Sequence, residues 1–352
     1  MIRVTAEVSP QALAAHDAII DVRSPSEFAE DHLPGAINLP VLDDVERAEV
    51  GTEYVQGSKF RARRRGAALV AANIARHLED ALADRPAHFQ PLIHCWRGGQ
   101  RSHAMATILD QVGWPVTVLD GGYRTWRRSV VAALYDVPLG HRLVLIDGRT
   151  GVGKTALLAR LAERGVQTLD LEGLANHRGS LFGAMPGGQP PQKLFESRLH
   201  AVLARLDPKR PTAVEAESRK VGARVLPPRL WEAMQAAPVI EVTAPLDARI
   251  DHILTDYAEI GADPDALDQA LTRLPRHHAK ATIAEWRALA AAGDLRPLVK
   301  ALIEQHYDPA HARSGRTPNA RLSAHDLSAV ETAVVNDVRR TPAPASHPTP
   351  RP

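Results

Sequence analysis

One stretch near the middle of the chain most restricts what it can fold into. Residues 142–146 (RLVLI) form an apolar run typical of a buried strand, and residues 156–164 have the spacing of an amphipathic helix. Between them, residues 148–155 (GRTGVGKT) match the full G-x-x-x-x-G-K-[ST] pattern in its required strand-to-helix setting. The backbone N–H groups of such a loop cradle a diphosphate at a helix N-terminus. The pattern therefore predicts a phosphate-binding α/β domain.

The side chains of this loop have separate expected tasks. Lys154 is expected to bridge phosphate oxygens, and the Thr155 hydroxyl can reach a magnesium ion. A carboxylate strand usually accompanies such a loop, and residues 170–173 (DLEG) and 212–218 (TAVEAES) are two candidates. Neither is a plain apolar strand ending in Asp, so a simple nucleotide hydrolase is disfavoured and no metal ligand is assigned. The expected phosphate-binding residues are Gly148, Gly151, Gly153, Lys154 and Thr155.

A second loop surrounds Cys95, the only cysteine of the chain. Residues 91–94 (PLIH) are typical of a buried strand, residues 102–109 have helical spacing, and two glycines between them permit a tight loop. Inward-pointing N–H groups and the positive end of the following helix should lower the pKa of the thiol. The alternative is a small buried hydrophobe, which is commoner for a lone cysteine. The expected catalytic residues are Cys95, Arg97 and Arg101, with the two arginines holding an anionic substrate.

Four landmarks in sequence order resemble the rhodanese (sulfurtransferase) family. They are residues 19–28 (IIDVRSPSEF), 32–40 (HLPGAINLP), 93–102 (IHCWRGGQRS) and 119–126 (LDGGYRTW). The resemblance implies that Cys95 carries sulfur or selenium as a persulfide or perselenide. Loops at the carboxyl ends of parallel strands face one site, so further substrate contacts are expected nearby. These are Asp21, Arg23, Trp96, Gly98 and Gly99.

The alternation of strand-like and helix-like segments predicts parallel α/β sheets. We expect a rhodanese-like parallel-sheet domain over residues 1–136 and a P-loop NTPase-like α/β domain with a helical C-terminal part over residues 137–340. Residues 341–352, rich in proline and small polar side chains, are expected to be a disordered tail. The first strand is expected at residues 18–22, and the chain after residue 242 is expected to be mostly helical.

Two polar, glycine-containing segments carry a resemblance that spans nearly the whole chain. They are residues 170–183 (DLEGLANHRGSLFG) and 215–222 (EAESRKVG). Taken alone, the first is typical of a surface turn. Together with residues 307–309 (YDP), and behind a sulfurtransferase domain, they resemble the tRNA 2-selenouridine synthase family. The substrate contacts expected in these segments are His177, Arg178, Ser180, Glu217 and Arg219.

This resemblance implies a two-step change of the wobble 2-thiouridine of tRNA. The P-loop domain would hold geranyl diphosphate while the thiocarbonyl sulfur displaces diphosphate, which gives S-geranyl-2-thiouridine. The sulfurtransferase domain would then pass selenium from selenophosphate through Cys95 to give 2-selenouridine, and the sequence leaves open whether a free perselenide is obligatory. Selenophosphate synthetase is an implied partner. No tightly bound cofactor is expected, and Mg²⁺ is an option.

Composition and charge restrict partners only broadly. A net charge of +2 and a sequence pI near 8.8 permit nucleic-acid binding without requiring it. The basic run at residues 59–65 (KFRARRR) fits a phosphate-backbone contact or a solvated helix start equally well.

Neither a signal pattern nor an apolar run of about 18 residues is found, so a cytoplasmic protein without membrane contact is expected. A P-loop kinase or ATPase with a regulatory sulfurtransferase domain stays open, whereas the retained cysteine disfavours a non-catalytic adaptor.

Overall fold

The computed structural model describes residues 1–180, 182–274, 278–312 and 316–340. Contacts divide the chain into two compact units. Unit 1 comprises Met1–Pro138 together with Pro190–Arg205, and unit 2 comprises Leu139–Gln189 together with the chain from Leu206 onward. Residues 190–205, which the sequence interpretation places in the second domain, therefore group with the first. The tail expected at residues 341–352 lies outside the described residues.

The strands of both units are short. In chain order they are β1 (Arg3–Thr5), β2 (Ala18–Asp21), β3 (Ala36–Asn38), β4 (Pro91–His94), β5 (Thr117–Leu119), β6 (Arg142–Asp147), β7 (Gln167–Leu169), β8 (Pro211–Glu215), β9 (Lys220–Val221), β10 (Arg224–Val225), β11 (Val239–Thr243) and β12 (Ala320–Ser323). The pair β9 and β10 forms a small antiparallel ribbon, and the others form the two main sheets.

The helices connect and cover these strands. They are α1 (Pro10–Ala14), α2 (Pro25–Glu30), α3 (Asp44–Gln56), α4 (Lys59–Glu79), α5 (Gln100–Val112), α6 (Tyr123–Val131), α7 (Lys154–Glu163), α8 (Leu171–Ala175), α9 (Gln192–Leu203), α10 (Pro228–Ala236), α11 (Leu246–Asp256), α12 (Ala258–Gly261), α13 (Pro264–Thr272), α14 (Lys280–Ala292), α15 (Leu295–Leu302), α16 (Asp308–Ala312) and α17 (Leu327–Arg340). Single π-helical turns continue α6 over Ala132–Asp136 and α15 over Ile303–Tyr307.

Unit 1 is built on a parallel sheet with the strand order β1-β5-β4-β2-β3. The central strand β4 is buried along its whole length, as expected for a strand covered on both faces. The prediction that the first strand begins at Ala18 was wrong, because β1 precedes it and pairs with β5 at the edge of the sheet. Only three residues long and largely exposed, β1 lacks the apolar run that marks a buried strand.

Helix α9 joins unit 1 through specific polar contacts with α6 and its π-helical extension. The Trp126 indole N–H donates to the Ser197 hydroxyl over 3.0 Å. Glu196, which is 2% exposed, pairs with Arg127 and accepts a hydrogen bond from the Tyr135 hydroxyl at 2.7 Å. The buried charge of Glu196 is therefore compensated from two sides, which ties α9 to this unit.

Unit 2 is built on a second parallel sheet with the strand order β12-β11-β6-β8-β7. Strand β12 interrupts the expected helical run near the end of the chain, and α17 then packs Val330 and Val334 into the core around β6. Helices α13 to α15 form a separate apolar cluster around Trp286, which is fully buried. The unit thus combines a parallel α/β sheet with a helical part.

The predicted fold class is confirmed, since both units have parallel sheets with helical connections and a helical part lies towards the C-terminal end. Each sheet places a strand-to-helix loop after a buried central strand, β4 in unit 1 and β6 in unit 2. Among the described helices, none has the length and apolarity to cross a membrane.

Candidate functional site

The thiol of unit 1 lies where the sequence pattern predicts, in the loop between β4 and α5. Cys95 is only 3% exposed. The backbone N–H of Gly99 donates to its sulfur over 3.3 Å, and the Ser102 hydroxyl lies 3.3 Å from the same atom. Both groups belong to the beginning of α5, so the helix N-terminus is directed at the sulfur.

These donors decide the ionisation state of the thiol. Burial alone would raise the pKa of Cys95, because it removes water from the thiolate. The Ser102 hydroxyl and the backbone N–H groups of Arg97, Ser102 and Gly99 outweigh this effect, and the pKa lies below its ordinary value. Since the thiolate is the nucleophilic form, this geometry favours reactivity over the alternative of an inert buried cysteine.

Glycine allows this loop to lie against the loop after β5. Gly98 has a φ of +65°, and a Cβ atom there would lie 2.7 Å from the Leu119 carbonyl oxygen. A Cβ atom on Gly122 would collide with the carbonyl oxygen of Cys95. The backbone N–H of Tyr123 donates to that same oxygen over 2.8 Å. The two loops therefore hold Cys95 in a fixed backbone position.

A polar pocket of about 1090 Å³, counting its solvent-open part, lies in front of the sulfur. Arg97 and Arg101, both expected from sequence, line it together with Arg47 from α3. Glu27 accepts from Arg101 over 2.8 Å and lies 3.1 Å from Arg47. Burial raises the pKa of Glu27, but these two arginines lower it overall, so Glu27 orients both cations. Sequence reasoning missed Arg47 and Glu27 because α3 and α2, which carry them, are distant in sequence from the loop.

Asp21 and Arg23 do not face this pocket. Both side chains are fully buried, and Arg23 contacts the two carboxylate oxygens of Asp21 at 2.6–3.0 Å. The guanidinium carbon of Arg23 lies 4.1 Å from the ring centre of Tyr123 and 5.9 Å from that of Trp96. Trp96 itself is 37% exposed and lines the pocket. The buried pair thus supports the loop from beneath, whereas Trp96 and Gly99 lie on the pocket wall.

The phosphate loop of unit 2 spans from the end of β6 to the start of α7. Gly151 and Gly153 have φ angles of +85° and +78°, a backbone conformation that favours glycine. A Cβ atom on Gly148 would lie 2.6 Å from the carbonyl oxygen of Val242. The Lys154 ammonium donates to the Gly148 carbonyl over 3.1 Å, so it reaches back across the loop. This is the shape that presents N–H groups and a cation to one anion.

A carboxylate cluster lies beside this loop. Oxygen atoms of Glu172, Glu215 and Glu217 all lie within 4.8 Å of one another. The Thr155 hydroxyl lies 2.7 Å from Glu215 and 3.1 Å from Glu172. Residues 212–214 are buried and lead directly to Glu215, so β8 is an apolar carboxylate strand that ends in Glu. Both segments named as candidates from sequence, residues 170–173 and 212–218, contribute to the cluster through Glu172 and Glu215; the sequence interpretation assigned no ligand there because neither is a plain apolar strand ending in Asp.

Burial and mutual repulsion keep these carboxyl groups partly protonated near neutral pH. Burial is the main cause that raises the pKa of Glu172 to about 8, with the charges of Glu215 and Glu217 adding to it. Burial likewise raises the pKa of Glu215 to about 7. The second carboxylate oxygen of Glu215 has no hydrogen-bond partner within the described part of the chain. A hard divalent cation would satisfy this set, and Thr155 with the three glutamates would hold Mg²⁺.

The polar segment after β7 lies around the same cluster. His177 accepts a hydrogen bond from the Gly179 backbone N–H over 3.1 Å, and burial lowers its pKa, so it is neutral at pH 7. The Arg178 guanidinium carbon lies 5.2 Å from the ring centre of Tyr257. The Ser180 hydroxyl is 2.9 Å from the Tyr257 hydroxyl. Of the residues expected from sequence, Glu217 joins the carboxylates, whereas Arg219 is exposed on the loop that follows.

Asp308, in the YDP segment singled out from sequence, connects the phosphate loop to the helical part of unit 2. Arg249 from α11 donates to its two carboxylate oxygens over 2.6 and 3.1 Å. Arg149, within the loop, donates to Asp308 over 3.1 Å. Arg249 also donates to the carbonyl oxygen of Thr150 over 2.9 Å. This bridge fixes the first half of the loop.

Replacing Ser102 with Ala should raise the pKa of Cys95, because the substitution removes the strongest of the groups that stabilise its thiolate. The rate of alkylation by iodoacetamide should then rise only at higher pH than in the unsubstituted protein. Thr107→Ala is the matched control, since its hydroxyl lies further along α5 and donates to the His103 carbonyl oxygen instead of the Cys95 sulfur. An unchanged pH profile for Ser102→Ala would contradict this account of the thiolate.

The carboxylate cluster predicts that the stability of the folded protein depends on pH, and that Mg²⁺ restores the stability lost at high pH. The folded protein binds protons at Glu172 and Glu215 more tightly than the unfolded chain, where glutamate titrates near 4.5. Stability should therefore fall as pH rises from about 4.5 through about 8, since the folded carboxyls lose their protons last. Mg²⁺ should raise the melting temperature by roughly a few degrees at pH 8.5 and by less at pH 6.

Glu215→Gln should reduce both the pH dependence and the response to Mg²⁺ in calorimetry. The exposed Glu163→Gln, in the same unit, is the control. Equal responses of the two variants to Mg²⁺ would show that the cluster does not bind the cation.

Family descriptions match two successive segments of the chain. The Rhodanese-like domain description matches residues 7–129, and the description tRNA 2-selenouridine synthase AAA domain matches residues 141–267.

Relatives named tRNA 2-selenouridine synthase match across both units. Those of Nitrosomonas europaea and Shewanella loihica are each 36% identical over 69% and 70% of this chain, and the matched regions span 64% and 66% of their own lengths, slightly under two thirds. The relative of Verminephrobacter eiseniae is 33% identical over 90% of this chain and 94% of its own length. The chain therefore belongs to the tRNA 2-selenouridine synthase family.

Proposed function

We propose that this protein converts the wobble 2-thiouridine of tRNA to 2-selenouridine through an S-geranyl-2-thiouridine intermediate, with geranyl diphosphate and selenophosphate as co-substrates. Its relatives carry the name of the overall reaction. The observation that carries the proposal is that one chain retains both an activated thiol loop and a complete phosphate loop. Two successive group transfers need two such sites, whereas a single transfer would need only one site.

The first step belongs to unit 2. The thiocarbonyl sulfur attacks the allylic carbon of geranyl diphosphate, the C–O bond breaks, and the base loses its N3 proton as diphosphate leaves. Backbone N–H groups of the loop and the Lys154 ammonium stabilise the charge that develops on the leaving group. A divalent cation held by Thr155 and the glutamates would add positive charge at the same place. Hydrolysis of a nucleotide is not required.

The second step belongs to unit 1. Selenium from selenophosphate bonds to C2 of the base, geranylthiolate leaves, and water takes the phosphoryl group. Arg97, Arg101 and Arg47 line the pocket in front of Cys95 and provide the positive charge that selenophosphate needs. We assign to the Cys95 thiolate the displacement of geranylthiolate from C2; the selenide that hydrolysis of selenophosphate releases then displaces Cys95 from C2, so no oxidant is needed. Selenophosphate synthetase is the natural supplier of the donor.

Two substitutions should separate the steps. Cys95→Ser should block selenation and leave S-geranyl-2-thiouridine to accumulate, because the first site is intact. Lys154→Ala should reduce geranylation by roughly 100-fold or more, since it removes a charge that acts on the leaving group. The measurement is mass spectrometry of nucleosides from 2-thiouridine-containing tRNA incubated without oxygen with both co-substrates.

The exposed Lys209→Ala serves as the lysine control in unit 2. Loss of both products with Cys95→Ser, in protein that remains folded by circular dichroism, would contradict the assignment of one step to each unit.

Helix α4 offers a surface for the phosphate backbone of tRNA. Arg61, Arg63 and Arg64 are exposed on its first turns. Arg63 also lies 5.9 Å from the ring centre of Tyr54 on the neighbouring α3, and Phe60 is 73% exposed. Arginines with accessible aromatic rings are the combination that binds RNA backbone and unpaired bases.

Replacing these three arginines with Ala should weaken tRNA binding and reduce its dependence on salt. Each lost phosphate contact should reduce the slope of log affinity against log salt by roughly 0.7 to 0.9. Filter binding at several salt concentrations measures this slope. The matched control is Arg164→Ala, Arg287→Ala and Arg296→Ala in unit 2, where each arginine is part of a surface ion pair. Identical slopes would indicate that the basic run is only a solvated helix start.

One observation favours a P-loop kinase or ATPase as the second candidate. The contact of Thr155 with Glu215 at the end of a buried strand is an arrangement that also suits Mg²⁺-nucleotide. Turnover of ATP by the purified protein, abolished by Lys154→Ala and accompanied by no change in the tRNA nucleosides, would support this candidate instead.

A further inference from the structure

Beside the phosphate loop, unit 2 contains an apolar pocket that neither the loop nor the carboxylate cluster uses. Its enclosed cavity measures about 80 Å³, and the cleft has about 640 Å³ when the adjoining solvent-open space is counted. Helices α11, α12, α13 and α15 with its π-helical turn form the walls, and Phe182 closes one side. Leu298 and Phe182, which line it, are 1% and 7% exposed. A well-formed apolar space of this kind implies an apolar occupant.

The pocket borders the phosphate loop. Thr150, a residue of the loop, is also part of the pocket lining. Gly151 approaches the opposite wall so closely that a Cβ atom there would lie 2.9 Å from the terminal carbon of Ile253. An anion bound by the loop therefore has an apolar cleft directly at its side.

The polar side chains in and beside the lining already contact one another. The Ser180 and Tyr257 hydroxyls are 2.9 Å apart, and the Arg178 guanidinium lies over the Tyr257 ring. Tyr307 is half-buried, and the rest of the lining is almost entirely aliphatic. A nucleotide base presents donors and acceptors that would lose their hydrogen bonds to water in such a space. A hydrocarbon chain has no hydrogen bonds with water to lose, and its transfer from water into an apolar space is favourable.

We infer that this pocket receives the hydrocarbon chain of the allylic diphosphate whose head is held by the phosphate loop, and that its walls limit the length of chain accepted. The inference rests on the proposed function and adds to it the place and the chain-length selectivity of the prenyl donor. Ala258, at the start of α12, is an exposed residue that lines the pocket. A larger side chain there would occupy the cleft without disturbing the buried core of the helical part.

Ala258→Trp in the full chain is the test, with Ala262→Trp as control because Ala262 is exposed four residues later and does not line the pocket. Calorimetric titration with geranyl diphosphate, dimethylallyl diphosphate and inorganic diphosphate measures the three affinities. Ala258→Trp should weaken geranyl diphosphate binding by at least about tenfold. Its affinity for inorganic diphosphate should not change, and the five-carbon donor should be affected least. Val299→Phe, on the adjacent helix wall, should act in the same way and provides a second variant should the first not fold.

The outcomes separate this inference from the proposed function. Unaltered geranyl diphosphate binding in folded Ala258→Trp and Val299→Phe would overturn the pocket assignment, while geranylation by the unsubstituted protein would still support the function. If the unsubstituted protein bound geranyl diphosphate no more tightly than inorganic diphosphate and formed no S-geranyl nucleoside, both would fail. In a parallel titration with ATP, loss of ATP binding by Ala258→Trp, with its geranyl diphosphate binding retained, would place a nucleotide base in the pocket and also overturn the inference.

Discussion

Backbone N–H groups at the carboxyl ends of parallel strands are the feature on which both candidate sites depend. In unit 1 they surround the sulfur of Cys95 after β4, and in unit 2 they form the phosphate loop after β6. A backbone donor is fixed by the sheet and the helix that flank it, so little reorganisation is needed when negative charge develops. Glycine makes this arrangement possible, because a Cβ atom on Gly122 or Gly151 would meet the backbone of a neighbouring segment.

The two units support their loops by different electrostatic means. Beneath the thiol loop, the charges of Asp21 and Arg23 are fully paired, and Arg23 also donates to the Asp31 carbonyl over 2.6 Å. Removing one member of such a buried pair typically costs about 3–5 kcal/mol, so the pair acts as a rigid foundation. Beside the phosphate loop, three carboxyl groups are crowded together with one oxygen left unpartnered among the described atoms. This second arrangement is incomplete without a cation or protons, as suits a site that binds charged ligands.

Local pattern was sufficient for the elements that carry chemistry. An apolar strand, a glycine loop and an amphipathic helix follow one another in the sequence around both Cys95 and Lys154, and the structure has them in that order. Elements at the edges of the sheets were harder to predict. Strands β1 and β12 are short and only partly buried, so they lack the apolar run that identifies a central strand. Helix α9 shows a clear apolar face, yet periodicity does not say which unit that face covers.

By itself, the sequence determined the parallel α/β class and the positions of the two loops with their cysteine and lysine, because each depends on residues that are adjacent in the chain. Tertiary structure alone decided that Glu27 and Arg47 border the thiol pocket, that Glu172 and Glu215 meet at Thr155, and that an apolar cleft lies beside the phosphate loop. These groups come from segments far apart in sequence. Their approach is set by how strands order within a sheet and how helices pack over it, and no local pattern of residues encodes that order.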